Sequence, residues 1–248
     1  MVDTVPSPPT HQPLKSGVEG AAGERAARVA LVNALRDMNG LGLNQGTSGN
    51  VSVRHGDTML ISPSATPYDT MRPEDVAAMP VEGEYGAWAG PLRPSTEWRF
   101  HLDILRARPD TGAVVHAHPT FCTALAIARR PIPAAHYMIA AFGGADVRCA
   151  SYATFGTEAL SRYAIEALHE RNGCLLANHG MIVVGPSLAK AMWLAVELEA
   201  LARQYWHSLQ CGGPVLLTGA EVADAAQRFG SYGLRDGAAA PGRERRAS

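Results

Sequence analysis

The sequence predicts an α/β domain, a sheet covered by helices, on three observations. Segments with apolar residues at helical spacing (24–38, 120–128, 158–171, 187–209 and 221–229) alternate with short β-branched or apolar runs (50–54, 58–62, 113–118 and 174–184). The chain has 248 residues, 46% hydrophobic and 18% charged, enough to bury one large core. No stretch repeats another along the chain, which argues against a solenoid.

Residues 1–22 carry Pro6, Pro8, Pro9, Pro13, Gly17 and Gly20 among scattered apolar residues, so they are expected to stay disordered. The tail 237–248, with Pro241, Gly242 and the charged run from Arg243 to Arg246, has the same character, which leaves 23–236 as one domain. Within it, 24–38 reads as a helix, and 50–54 with 58–62 as a hairpin about Gly56 and Asp57. Ser95 or Thr96 is placed to cap a helix that carries Trp98, Leu102 and Leu105 on one face and ends before Pro109, with Glu97 in its first turn. A strand over 113–118, helices over 120–128 and 158–171, and an apolar strand pair over 174–184 broken at His179 and Gly180 follow. Ser187 then opens a long helix with a stripe of Ala191, Leu194, Leu198, Leu201 and Tyr205.

A net charge of −1 gives no field to gather nucleic acid or an anionic membrane. The longest uncharged stretch, 172–189, contains Asn178, His179, Gly180 and Pro186 and makes a poor membrane span. Cys122, Cys149, Cys174 and Cys211 are far apart with no C-x-x-C pair, and no charged start precedes an apolar run, so a cytoplasmic protein is expected.

His116 and His118, two apart on a strand, point their imidazoles to one side about 6 to 7 Å apart along the backbone. His179 stands where an apolar strand stops at an Asn-His-Gly turn. Three imidazoles plus an open position suit a catalytic zinc ion. Glu97 is a candidate proton carrier beside such a metal. Gly46–Asn50, Ser62–Thr66 and Ser95-Thr96 offer hydroxyls and backbone N–H groups to an anion. Each feature also has a plain reading: polar strand-end histidines, a first-turn carboxylate favoured by the helix dipole, ordinary turns and caps.

Taken in order, TSGNVSVR, ISPSATPYD, PSTEWRFH, VVHAHP, PAAHYM, SYATFGT, NHG and YGLR resemble the class II aldolase/adducin family over roughly residues 24–236, nearest its bacterial fuculose-phosphate aldolases. The resemblance implies a single αβα domain around a largely antiparallel sheet, in a homotetramer with active sites between subunits. It implies one Zn²⁺ per subunit on His116, His118 and His179, with Glu97 as acid/base. It implies a phosphate site at Gly49, Asn50, Ser64, Ala65, Ser95 and Thr96, although the family often has Gly where Ala65 stands. It further implies that Tyr137 enters a neighbour's site to handle the aldehyde oxygen, and that Phe155 and Tyr232 shape the aldehyde end.

The implied reaction is reversible cleavage of a 2-keto sugar 1-phosphate to dihydroxyacetone phosphate and an aldehyde. The implied substrate is L-fuculose 1-phosphate or a related 5-deoxypentulose or methylthioribulose 1-phosphate. The same scaffold hosts pentulose-phosphate 4-epimerases, methylthioribulose-phosphate dehydratases and the non-enzymatic adducin head. Family epimerases usually have Asp where Glu97 stands, and the retained histidines argue against a non-enzymatic module. The only lysines are Lys15 and Lys190, far from every motif, which excludes Schiff-base chemistry.

Overall fold

The computed structural model describes residues 18–229. In chain order it contains α1 (Val18–Gly40), β1 (Asn50–His55), β2 (Thr58–Ile61), β3 (Ala77–Pro80), α2 (Trp98–Ala107), β4 (Ala113–Ala117) and α3 (Thr120–Ile127). There follow β5 (Ile132–Pro133), β6 (Asp146–Ala150), α4 (Glu158–Ala167), β7 (Gly173–Leu176), β8 (Gly180–Gly185), α5 (Leu188–Gln210) and α6 (Gly219–Phe229). The strands form one sheet in the order β3-β2-β1-β4-β8-β7-β6-β5, in which only β6 and β7 run parallel. The expected αβα domain with a mostly antiparallel sheet is what the chain forms.

Strand alternation sorts the core into two layers. Val51, Val115 and Val183 face α1, α3 and α5 through Leu31, Leu35, Leu125, Leu194 and Leu198. Met59, Ile61, Val114, Ile182 and Val184 face α2 and α4 through Trp98, Leu102, Leu105 and Leu160. His116 shares the parity of Val114, so its ring points to the α2 side, where it meets Phe100 edge-on at 5.3 Å.

Several boundaries differ from the sequence expectation. Helix α1 extends beyond 24–38 at both ends, since Glu19, Ala21 and Ala22 are good helix formers and Glu24 pairs with Arg28 at 2.7 Å. Helix α4 ends at Ala167 rather than 171, because Glu170 takes a positive φ of 56° that a helix does not tolerate. The N-cap of α2 is Glu97, not Ser95 or Thr96; Ser95 instead lends its hydroxyl to the Glu97 N–H at 3.2 Å. Ser187 does cap α5, accepting from Lys190 N–H at 3.3 Å.

Candidate active site

The site lies at one end of the central strands. Asn50 at the start of β1 pairs in register with His116 near the end of β4, which brings the polar motif TSGN beside the His pair. His179 ends the tight turn between β7 and β8, closed by its N–H to Leu176 O at 3.0 Å, with Asn178 at φ 56°. Gly180 is required there: a Cβ would sit 2.6 Å from the His118 ring and 2.5 Å from Ala117 O.

The ligand nitrogens of His116, His118 and His179 all lie within 4.8 Å of one another. His116 Nδ1 donates to Met181 O at 2.9 Å, which leaves Nε2 bare and aimed at His118 Nε2, 2.9 Å away. Glu97 completes the cluster, its two carboxylate oxygens 3.2 Å from His116 Nε2 and 3.3 Å from His179 Nε2. Burial first, and the other imidazoles second, push His118 down to about 3 and His179 to about 4, so both rings are neutral ligands at ordinary pH. Burial alone would raise the Glu97 carboxyl, but His116, His179 and the Asn50 amide outweigh it and hold it below the usual carboxylate range.

Such a cluster fits a cation. Lone pairs and an ionised carboxylate converge on one point, and the buried Glu97 Oε1 has no hydrogen-bond partner among the described residues. Three imidazoles with room for a further ligand match the donor set of a divalent metal site.

Above the cluster opens a cleft of about 420 Å³, lined by Gly49, Asn50, Ser64, Ala65, Ser95, Thr96, Glu97, His118, Phe155 and His179 among others. Its loops are zipped together by Ser95 N–H to Ser62 O at 2.9 Å and Ser64 N–H to Arg93 O at 3.0 Å. The sequence-predicted phosphate residues are therefore all in one place, over the metal-ligand group. Ala65 takes a left-handed φ of 51°, the conformation that explains the family's usual glycine. Phe155 stands at the rim, 63% exposed.

Tyr137 is not in this cleft; it is 49% exposed and stacks on Phe229 of α6 at 6.1 Å. Tyr232 lies outside the described residues.

Sequence reasoning passed over several supporting side chains. The Asn44 amide oxygen accepts from the His118 N–H at 3.1 Å, and its nitrogen reaches the Tyr68 hydroxyl at 3.4 Å. Tyr68 in turn donates to Gly49 O at 2.5 Å, and burial raises its hydroxyl to about 12, so it stays a donor. Ser52 and His101 form a second buried set behind Asn50. For His101 a signal existed: it follows Glu97 by four residues and so shares its helix face. Asn44 carried none.

Residues 29–206 match the Class II Aldolase and Adducin N-terminal domain family. The chain belongs to that family. It is 52% identical over 208 residues to a 5-methylthioribulose-1-phosphate/5-deoxyribulose-1-phosphate aldolase of Rhodospirillum rubrum, covering 84% of this chain and 93% of that one. It is 46% identical over 206 residues to the L-fuculose phosphate aldolase of Escherichia coli K12, covering 83% and 94%. A solved L-fuculose 1-phosphate aldolase superposes with a TM-score of 0.79 at 36% identity, covering 82% of this chain and 96% of the other.

Proposed function

We propose that this class II aldolase family member is a zinc-dependent lyase that cleaves a 2-keto sugar 1-phosphate to dihydroxyacetone phosphate and an aldehyde. The observation that carries the reading is the Glu97 carboxylate set between the Nε2 atoms of His116 and His179, at the floor of a cleft rimmed by hydroxyls and backbone amides. Zinc suits three imidazoles, and a bound divalent ion supplies Lewis-acid stabilisation of negative charge on substrate oxygens.

The phosphate is assigned to Gly49, Asn50, Ser64, Ala65, Ser95 and Thr96, which hold an anion without Lys or Arg. In cleavage the proton leaves the hydroxyl of the carbon that becomes the aldehyde, and Glu97 delivers a proton to the carbon freed on the dihydroxyacetone phosphate side; in condensation the ionised Glu97 takes that proton back. The described residues offer no Schiff-base lysine: Lys190 sits on α5 with its ammonium 4.1 Å from the centre of the Trp193 ring, and none of the described residues that line the cavity is a lysine.

For the substrate we favour 5-deoxyribulose 1-phosphate or 5-methylthioribulose 1-phosphate, the compounds in the name of the Rhodospirillum relative, with L-fuculose 1-phosphate as the second choice. A homotetramer is part of the same reading, since the aldehyde-handling tyrosine, Tyr137, lies half-exposed outside its own chain's cleft. A cytoplasmic setting is supported by four unpaired cysteines, and no helix of the described residues is long and apolar enough to cross a membrane.

The deciding experiment follows dihydroxyacetone phosphate release from all three sugar phosphates, with zinc-loaded and chelator-stripped protein in parallel. Zinc-dependent cleavage is expected. No cleavage of any of them by the loaded protein would move the assignment to an epimerase or dehydratase on this scaffold.

A further inference from the structure

Behind Glu97 a buried chain of polar side chains runs away from the cleft. Asn50 Nδ2 donates to Glu97 Oε2 at 3.0 Å; Asn50 Oδ1 lies 2.5 Å from His101 Nε2; His101 Nδ1 lies 2.8 Å from Ser52 Oγ. His101 and Ser52 are wholly buried and neither lines the cleft.

The proton placements along this chain are forced from one end. An ionised carboxylate only accepts, so Asn50 must present its NH₂ to Glu97 and its carbonyl to His101. His101 must then carry its proton on Nε2, leaving Nδ1 to accept from the Ser52 hydroxyl. The opposite tautomer turns the Asn50 carbonyl toward Glu97 and sets two acceptors face to face.

We propose that His101 is a positioning residue that, through Asn50, fixes the orientation of the Glu97 carboxylate. The inference rests on Glu97 being the acid/base of the proposed reaction. A packing role alone does not account for it. Burying an imidazole is costly unless both nitrogens are bonded, and a Leu or Phe would fill the same volume beside Phe100 without that cost. What the imidazole adds is a donor at one atom and an acceptor at the other. Ser52 on β1 fixes the ring from the sheet side, so the strand that carries Asn50 also determines which face Asn50 shows to Glu97. The titratable groups around Glu97 are His116 from β4 and His179 from the β7–β8 turn, and those facing His101 are His116 and Glu97.

The test uses the zinc-loaded full chain. Replacing His101 with Phe removes the donor to Asn50 and frees its amide to flip. Turnover is expected to fall about 10–100-fold, as for other groups that orient a metal site's working residues, with zinc content unchanged. The loss is expected in kcat with KM little changed, because the phosphate contacts stay in place. His101→Gln, whose amide N–H can still reach Asn50, is expected to recover most of the lost kcat. Near-normal kcat in a folded, zinc-loaded His101→Phe protein would overturn the proposal.

Should His101→Phe fail to fold, nitrogen NMR of the histidine-labelled native protein decides: His101 protonated on Nε2 supports the proposal, and protonation on Nδ1 sinks it. The underlying reading is tested separately by Glu97→Gln. Full turnover in that variant removes the acid/base assignment, whereas its loss together with a silent His101→Phe removes only the positioning role.

Discussion

The floor and the rim of the cleft are held by different means. Asn50, Glu97, His101 and His116 stand on β1, on β4 and at the head of α2, and none is more than 6% exposed. Ser64, Ala65 and Thr96 sit instead on loops, Phe155 projects into solvent, and Tyr137 stands elsewhere on the surface. The network around the Glu97 carboxylate is thus anchored on sheet and helix, while His118 and His179 join the cluster from just past β4 and from the β7–β8 turn. The rim is carried by connections that can change without disturbing the sheet.

The contrast is most severely tested at Glu97. Glu97→Gln keeps the shape and the Asn50 contact but loses the charge, and kcat is expected to drop about 10²–10⁴-fold with metal content retained. Full turnover in a metal-loaded variant would show that the floor does not perform the proton transfer.

The second test is acid. Burial first pushes His101 and His118 down to about 3 and His179 to about 4, against 6.5 for a free imidazole. Below about pH 6.5 the unfolded chain takes up protons that the folded chain refuses, so stability falls as pH drops, and the loss levels off near pH 3. Denaturant unfolding of chelator-treated protein is expected to show stability declining throughout that window. A flat profile would mean that the floor is open to water.

A smaller effect is expected at the junction of floor and rim. A Cβ on Gly49 would lie 1.8 Å from the Asn44 amide nitrogen, so Gly49→Ala should lower stability by about 1–3 kcal/mol. Asn44→Ala in the same chain should relieve part of that clash, giving a non-additive cycle in denaturant melts. Strict additivity would show that the two do not pack as described.

The smallest expected effect belongs to the rim. Ala65 occupies a left-handed conformation, and Ala65→Gly should raise stability by roughly 0.5–1 kcal/mol in the same melts. A loss instead would place the Ala65 methyl in a contact that holds the loop.

What the sequence disclosed follows the same division. The period of two in VVHAH placed His116 and His118 on one side of a strand, and the Asn-His-Gly break put His179 at a turn, because periodicity and glycine are local signals. Strand β3 escaped notice since AAMP contains no β-branched or aromatic residue; it pairs because Met59 and Leu60 of β2 give it a partner. Strand β6, DVRCA, mixes charge with apolar residues and lies at the one parallel pair, where alternation is weakest as a guide. The Asn44–Tyr68 and Ser52–His101 sets join residues that are 24 and 49 positions apart, and no local pattern reports such contacts.

Among the described residues, those that line the cleft include neither lysine nor cysteine, and Lys190 is held on Trp193 of α5. Aldehydes form Schiff bases with amines and hemithioacetals with thiols. An aldehyde released into this cleft therefore meets no amine or thiol among those described residues.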